Sequence, residues 1–226
     1  MSAAPDPLSV LVRDVQARWG TRALQRGVTR SPLTSGTTLA TGSPELDTLL
    51  PAGGLPRGAL SVTAGPLTSG KTTLALRVTA TAQAAGEQVL WFDLAHTFDP
   101  HAAVHWQVSL PDLVLVRPQE ATEALEILAD VLRAAASGLV VLSLPLAGWP
   151  KDAPLLSRAL QRMRAPLAAS QAVLLALAPP DPPWAAQAAL QLRMQEKAWW
   201  VEQGELKGYR VTVGVERGSV MLEVPL

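Results

Sequence analysis

The chain has 226 residues, 48% of them hydrophobic, with 19 Lys plus Arg against 19 Asp plus Glu and therefore no net charge. That supports one sizeable core and leaves nucleic-acid binding to local patches, not to a global field. The chain contains no Cys, which excludes disulfides and thiolate metal sites. Its three His (His96, His101, His105) have no metal-ligand spacing, and no apolar run is long enough to cross a bilayer. The start, MSAAPDPLSV, has neither the charged nor the apolar region of a secretory signal, so a soluble, cytoplasmic protein without membrane contact is the expectation.

Residues 8–19 read as an amphipathic helix, with Leu8, Leu11, Val12, Val15 and Trp19 on one stripe and Gly20 as its stop. A Thr/Ser/Gly-rich stretch, Thr29 to Thr38, reads as a linker, so residues 1–38 form a helix and linker ahead of a core at 39–226. The stripe has two readings: packing on this chain's own core, or docking on another subunit. Ser43 and Pro44 start a short helix as its cap and first residue. Strands follow at Leu60–Ala64, Val89–Asp93, Leu113–Val116, Leu139–Leu144 and Ala172–Ala178, with helices at 71–85, 119–136 and 154–169 between them. Strand and helix in alternation predict an α/β fold, a mainly parallel sheet with helices on both faces. From Leu190 onward, strand runs broken at Gln203-Gly204 and Arg217-Gly218 predict antiparallel strands at one edge.

Gly65-Pro66-Leu67-Thr68-Ser69-Gly70-Lys71-Thr72 fits the phosphate-loop pattern GxxxxGK[ST], between a predicted strand and a predicted helix. The glycines let the loop wrap inward so that backbone N–H groups from Thr68 to Thr72 face phosphate oxygens, and the helix N-terminus adds partial positive charge. Lys71 is placed to bridge the β- and γ-phosphates, and Thr72 to offer its hydroxyl to Mg²⁺. Thr73 completes the candidate nucleotide-binding set, and ATP with Mg²⁺ is the expected ligand.

The loop stands in a longer context. Thr41-Gly42-Ser43-Pro44-Glu45-Leu46-Asp47, Gly53-Gly54-Leu55-Pro56-Arg57-Gly58 and Phe92-Asp93-Leu94-Ala95-His96-Thr97-Phe98-Asp99-Pro100 resemble the RecA family of bacterial recombinases in order and spacing. Leu8 to Arg26 is similar to that family's N-terminal helix and following strand, which dock on the neighbouring protomer of a filament. The resemblance covers about residues 8–224 and has no counterpart of the family's separate C-terminal domain. It implies a RecA-like core, homo-oligomerisation through the Leu8–Trp19 stripe, and work in DNA recombination or repair.

The departures bear on chemistry. The resemblance assigns the water-activating Glu to the position of Ala95 and the acidic residue that supports Mg²⁺ to that of Ser143. Neither side chain takes a proton or balances a metal's charge, and a general base alone contributes about 10²–10⁴ in rate. A weak or absent ATPase is expected. Asp99 matches a residue that reads the adenine amino group, but Ala102 stands where the family has a stacking Tyr. Pro179 to Trp184 replaces a γ-phosphate-sensing Gln and a long DNA-binding loop, the second DNA loop near Gly148 to Ala153 is short, and Val215 and Arg217 occupy the positions of two inter-subunit lysines. A degenerate core of this kind is also similar to ImuA, a RecA-related accessory group of damage-induced translesion synthesis, although the intact phosphate loop is uncommon there.

Arg158, Arg162 and Lys151 with Arg164 give a basic helix face around 151–164 that is either a solvated face or a phosphate contact for DNA, single-stranded DNA included. Trp199-Trp200 places one indole on each face of a strand, one of them expected in the core. Three functions remain open at this point. The first is an ATP-binding RecA paralogue acting on a RecA-like filament, a repair polymerase or DNA. The second is an active DNA-dependent ATPase that uses Asp93, and the third a scaffold without nucleotide.

Overall fold

The computed structural model describes residues 7–19, 24–25, 37–135, 137–145 and 153–225. Helix α1 (Pro7–Trp19) and β1 (Leu24–Gln25) lead into a small antiparallel pair, β2 (Thr38–Leu39) with β3 (Leu55–Pro56), which brackets α2 (Pro44–Leu49). Then come β4 (Ala59–Ala64), α3 (Lys71–Ala84), β5 (Val89–Asp93), α4 (Pro100–His105), β6 (Leu113–Val116), α5 (Ala121–Ala134), β7 (Leu139–Ser143), α6 (Ala153–Ser170) and β8 (Val173–Ala178). The chain finishes on three long strands, β9 (Leu190–Glu202), β10 (Glu205–Val215) and β11 (Gly218–Pro225).

Among the described residues, the main sheet has nine strands in the order β1-β6-β5-β7-β8-β4-β9-β10-β11. From β6 to β9 the neighbours are parallel, and β1, β10 and β11 are antiparallel to theirs. The parallel strands are buried and mostly apolar on both faces, as a sheet covered on both sides requires, with Ser61 and Thr63 on one face of β4 as polar exceptions. Leu60, Val62, Leu90, Phe92, Val140, Leu142, Leu174 and Ala176 pack into one core with Val15 of α1, Ile127 and Leu128 of α5, and Leu156 and Leu160 of α6. Their alternates Val89, Trp91, Leu139, Val141, Val173 and Leu175 pack into a second core with Leu46 of α2, Leu74 and Val78 of α3, and Ala103 of α4.

The predicted layers are therefore present. Helix α4 is an addition; it is only six residues long, too short for a periodic signal, and is started by Asp99, whose carboxylate accepts from the His101 N–H at 2.8 Å. The Ser43 hydroxyl caps α2 as expected, accepting from the Leu46 N–H at 3.4 Å.

Helix α1 lies on its own chain: Val15 is buried in the first core, and Arg18 pairs with Glu126 of α5 at 3.3 Å. Val15 is thereby committed to this fold; the side chains of Leu8, Leu11, Val12 and Trp19, like most of the predicted linker and residues 146–152, lie outside the described ones.

The expectation that one of Trp199 and Trp200 is in the core is corrected. Trp199 is exposed and Trp200 is half-buried, stacked under the Arg210 guanidinium at 5.4 Å. The reason is length. β9 is 13 residues long and pairs with β4 only from Leu190 to Arg193, so its second half runs past β4, paired with β10 alone among the described residues.

Candidate nucleotide-binding site

The phosphate loop joins the C-terminal end of β4 to the start of α3. Gly70 precedes α3 in the left-handed region (φ 84°), which a residue without Cβ adopts freely, and it supplies no side-chain cap. The first N–H groups of α3 are thus left for a ligand, at the end of the helix where its dipole is positive. Gly65 is required sterically: a Cβ there would lie 2.7 Å from Met194 Cβ and 2.9 Å from Ser69 Oγ. The loop is pressed between β4 and the first residues of β9, and its shape follows from packing.

Lys71 reaches back over the loop. Its ammonium donates to the Gly65 carbonyl at 2.7 Å, to the Pro66 carbonyl, and to Ser69 Oγ at 3.3 Å. Burial pushes its pKa down from 10.5 to about 8. A phosphate in the loop would displace at least one of these three contacts and restore a charge partner to the ammonium. Pro66, Leu67 and Thr68 are exposed on the loop's rim, and Ser69 is buried. Thr72 and Thr73 are half-buried in the first turn of α3, and Thr73 Oγ1 lies 3.2 Å from the Tyr209 hydroxyl of β10. The fit to a triphosphate is good on this geometry: an uncapped helix start, a loop with no room for a Cβ, and a lysine held above it. Lys71 and the N–H groups of Thr68–Thr72 would hold the phosphates, and Thr72 would take Mg²⁺.

The structure brings together the two positions that the resemblance makes acidic. Ala95 follows β5 and Ser143 ends β7, and the Ala95 N–H donates to the Ser143 carbonyl at 3.2 Å. β7 is the second strand from β4 and β5 the third, which puts this corner about 10–14 Å along the sheet edge from the loop at ~4.8 Å per strand.

Asp93, the alternative carboxylate, has a different employment. It is fully buried, accepts from the N–H groups of Thr97 (2.9 Å) and Phe98 (3.2 Å), and takes the Arg117 Nε at 3.2 Å. These contacts hold the turn after β5, and they leave Asp93 badly placed to serve a metal at Thr72. Among the described residues no group of three or more His, Cys, Asp or Glu is disposed to hold a metal ion.

The other candidates divide. Asp99 is exposed and caps α4 through Oδ1, so its adenine-reading role would compete with a structural one. Arg158, Arg162 and Arg164 are all exposed on α6. At 100° per residue Arg158 and Arg162 share a stripe, whereas Arg164 points well away from it, so the three do not make one basic face. Two clefts of about 640 and 690 Å³ lie away from the loop, one lined by Leu49, Arg193 and Glu216, the other by Thr81, Gln83 and Asp112.

Tyr209 escaped the sequence reading. It is the only Tyr in the chain, and alternation with Val211 and Val213 along one strand face was the signal that placed it.

No helix among the described residues is long and apolar enough to cross a membrane. The protein RecA of Rhodospirillum rubrum is 38% identical to this chain over 144 residues, 64% of the chain and 39% of the relative. The protein RecA of Streptomyces ambofaciens is 38% identical over 137 residues, 60% of the chain and 36% of the relative, and that of Caldanaerobacter subterraneus is 35% identical over 144 residues, 64% and 42%. The matched stretch thus spans about two fifths of these curated relatives' length. The model of the RecA N-terminal domain matches residues 7–177, from α1 through the loop and the Ala95–Ser143 corner to the end of β8. The chain belongs to the RecA N-terminal domain family.

Proposed function

We propose that this chain is an ATP-binding member of its family that serves DNA recombination or repair with the nucleotide as a bound ligand and not as a fuel. A single observation carries the reading. The phosphate loop at β4–α3 has every part needed to hold a triphosphate, while the nearby corner that should activate water presents Ala95 and Ser143. Backbone N–H groups, Lys71 and the α3 N-terminus bind and orient phosphates without any carboxylate. Hydrolysis needs a base and metal support that these residues do not supply, so turnover is slow.

On this reading the protein acts through contacts whose strength depends on bound ATP, with single-stranded DNA, a RecA-like filament or a repair polymerase as the partner class. The likeness to RecA proteins supports self-assembly as part of it. Val15, packed in this chain's own core, is the one member of the α1 stripe whose described side chain is not available for that contact.

Calorimetric titration of the full chain with ATP and Mg²⁺ tests the proposal, together with a turnover assay with and without single-stranded DNA. Binding without turnover is expected. Lys71→Ala removes a charged donor to the phosphates, worth about 1.5–3 kcal/mol, and should weaken ATP at least about tenfold. Equal affinity in wild type and variant, or no binding by either, overturns the reading, as does wild-type turnover above about 1 s⁻¹.

A further inference from the structure

We infer that Trp199 and Tyr209 form a stacking wall beside the phosphate loop, on which the base of a loop-bound nucleoside triphosphate lies. This rests on the nucleotide-binding reading above and adds to it a base subsite outside the residues, 7–177, that the family model matches. Beyond Arg193, β9 passes the end of β4 and rises with β10 and β11 beside the loop. Directly opposed residues of an antiparallel pair point to the same face. On the face turned to α3 the register sets Met194 opposite Val213 and Trp199 opposite Tyr209, in that order outward.

The inner part of this ladder borders the loop. Met194 packs on Gly65, and a Cβ on Gly70 would lie 3.3 Å from Val211 Cγ2 and 3.8 Å from Tyr209 Cε2. The Tyr209 hydroxyl lies 3.2 Å from Thr73 Oγ1, in the first turn of the helix that would face the phosphates. Trp199, one strand over, is 64% exposed, and the apolar surface continues into the opposed pair Val201 (57%) and Leu206 (48%). On the other face of the same ribbon the indole is covered: Arg210 binds Glu223 at 2.8 Å and lies over Trp200.

On the α4 side of the loop, Ala102 offers no ring and Asp99 caps a helix. Every base has a π-face, so a wall of this kind holds purines by stacking without reading their edges. The site therefore accepts ATP and GTP alike.

The test is calorimetry on the full chain with ATP, GTP and inorganic tripolyphosphate, each with Mg²⁺. Wild type should bind ATP and GTP within about tenfold of each other, and both more tightly than tripolyphosphate. Trp199→Ala should weaken both nucleotides by about tenfold or more and leave tripolyphosphate unchanged. Trp199→Phe should keep most of the affinity, and Met221→Ala, exposed on the opposite face, should change nothing. Unchanged ATP affinity in Trp199→Ala overturns the wall and leaves nucleotide binding intact. An equal loss for tripolyphosphate also overturns it, because the indole would then be supporting the loop. If wild type binds neither ATP nor tripolyphosphate, the nucleotide-binding reading itself fails and the wall fails with it.

Discussion

The end of β4 and the ends of β5 and β7 lie on one edge of one sheet, and they are furnished in opposite ways. At β4 the groups proposed to bind are backbone N–H groups, a helix end and glycines, and the same atoms also satisfy the fold: Gly65 must be small because Met194 lies against it, whatever ligand the loop would hold. At β5 and β7 the expected chemistry belongs to side chains, and the corner is closed by the Ala95 N–H on the Ser143 carbonyl and by the Ser143 hydroxyl, 3.4 Å from that of Thr97. The carboxylate that does remain there, Asp93, is the one with structural partners: two backbone N–H groups and Arg117. On the proposed reading, a binding site made of backbone is tied to the fold, whereas a catalytic site made of side chains can be exchanged without disturbing it.

The largest expected effect comes from furnishing the second corner. Ala95→Glu with Ser143→Asp should raise Mg²⁺-dependent ATP turnover by about 10²–10⁴ if the missing carboxylates are all that separates the two corners. A turnover assay reading no gain over wild type would show that the corner differs in geometry as well as in side chains.

Next comes Asp93. Asp93→Ala strands the buried Phe98 N–H and removes the acceptor of the Thr97 N–H, while Arg117, partly exposed, turns to water. A loss of about 2–3 kcal/mol in urea unfolding is expected, with ATP affinity retained once the variant is folded. Intact stability with loss of Mg²⁺-dependent binding would instead make Asp93 a metal ligand.

The loop corner has its own pH signature. Free Lys71 titrates at about 8 because burial disfavours its charge, and a bound phosphate favours that charge. ATP affinity should therefore be highest below pH 8 and fall by up to about tenfold per pH unit as pH rises above it. Titrations across pH 7–10 check this, and Lys71→Ala should flatten the curve. For folding the sign is opposite. The folded chain binds fewer protons than the unfolded one between about 8 and 10.5, so the Lys71 contribution to stability rises with pH through that window.

The smallest effect lies beneath the loop, where the Thr63 hydroxyl on β4 is buried without a hydrogen-bond partner among the described residues. Thr63→Val keeps the shape and removes the unmatched polar atom. Thermal unfolding should show a gain of about 1 kcal/mol with unchanged ATP affinity. A loss of affinity would mean that the hydroxyl serves the ligand through water.

The amino-acid sequence by itself determined the parallel strands, the helices between them and the phosphate loop, because each is written in neighbouring residues: apolar runs buried on both faces, a cap at Ser43, and glycines at fixed spacing before Lys71. The resemblance, not periodicity, singled out Ala95 and Ser143; their closeness in space comes from β5 and β7 lying side by side. Tertiary structure alone decided which surfaces those elements share. The hydroxyls of Tyr209 and Thr73 meet across 136 positions of chain, and Asp93 meets Arg117 only after β5 and β6 lie side by side. Helix periodicity put Val15 on an apolar stripe but could not say whether its own core or another chain would cover it; packing against α5 decided that. The two indoles of Trp199 and Trp200 look equally suited to a core in sequence. Strand length in space leaves both out of it, because β9 outruns β4 beyond Arg193.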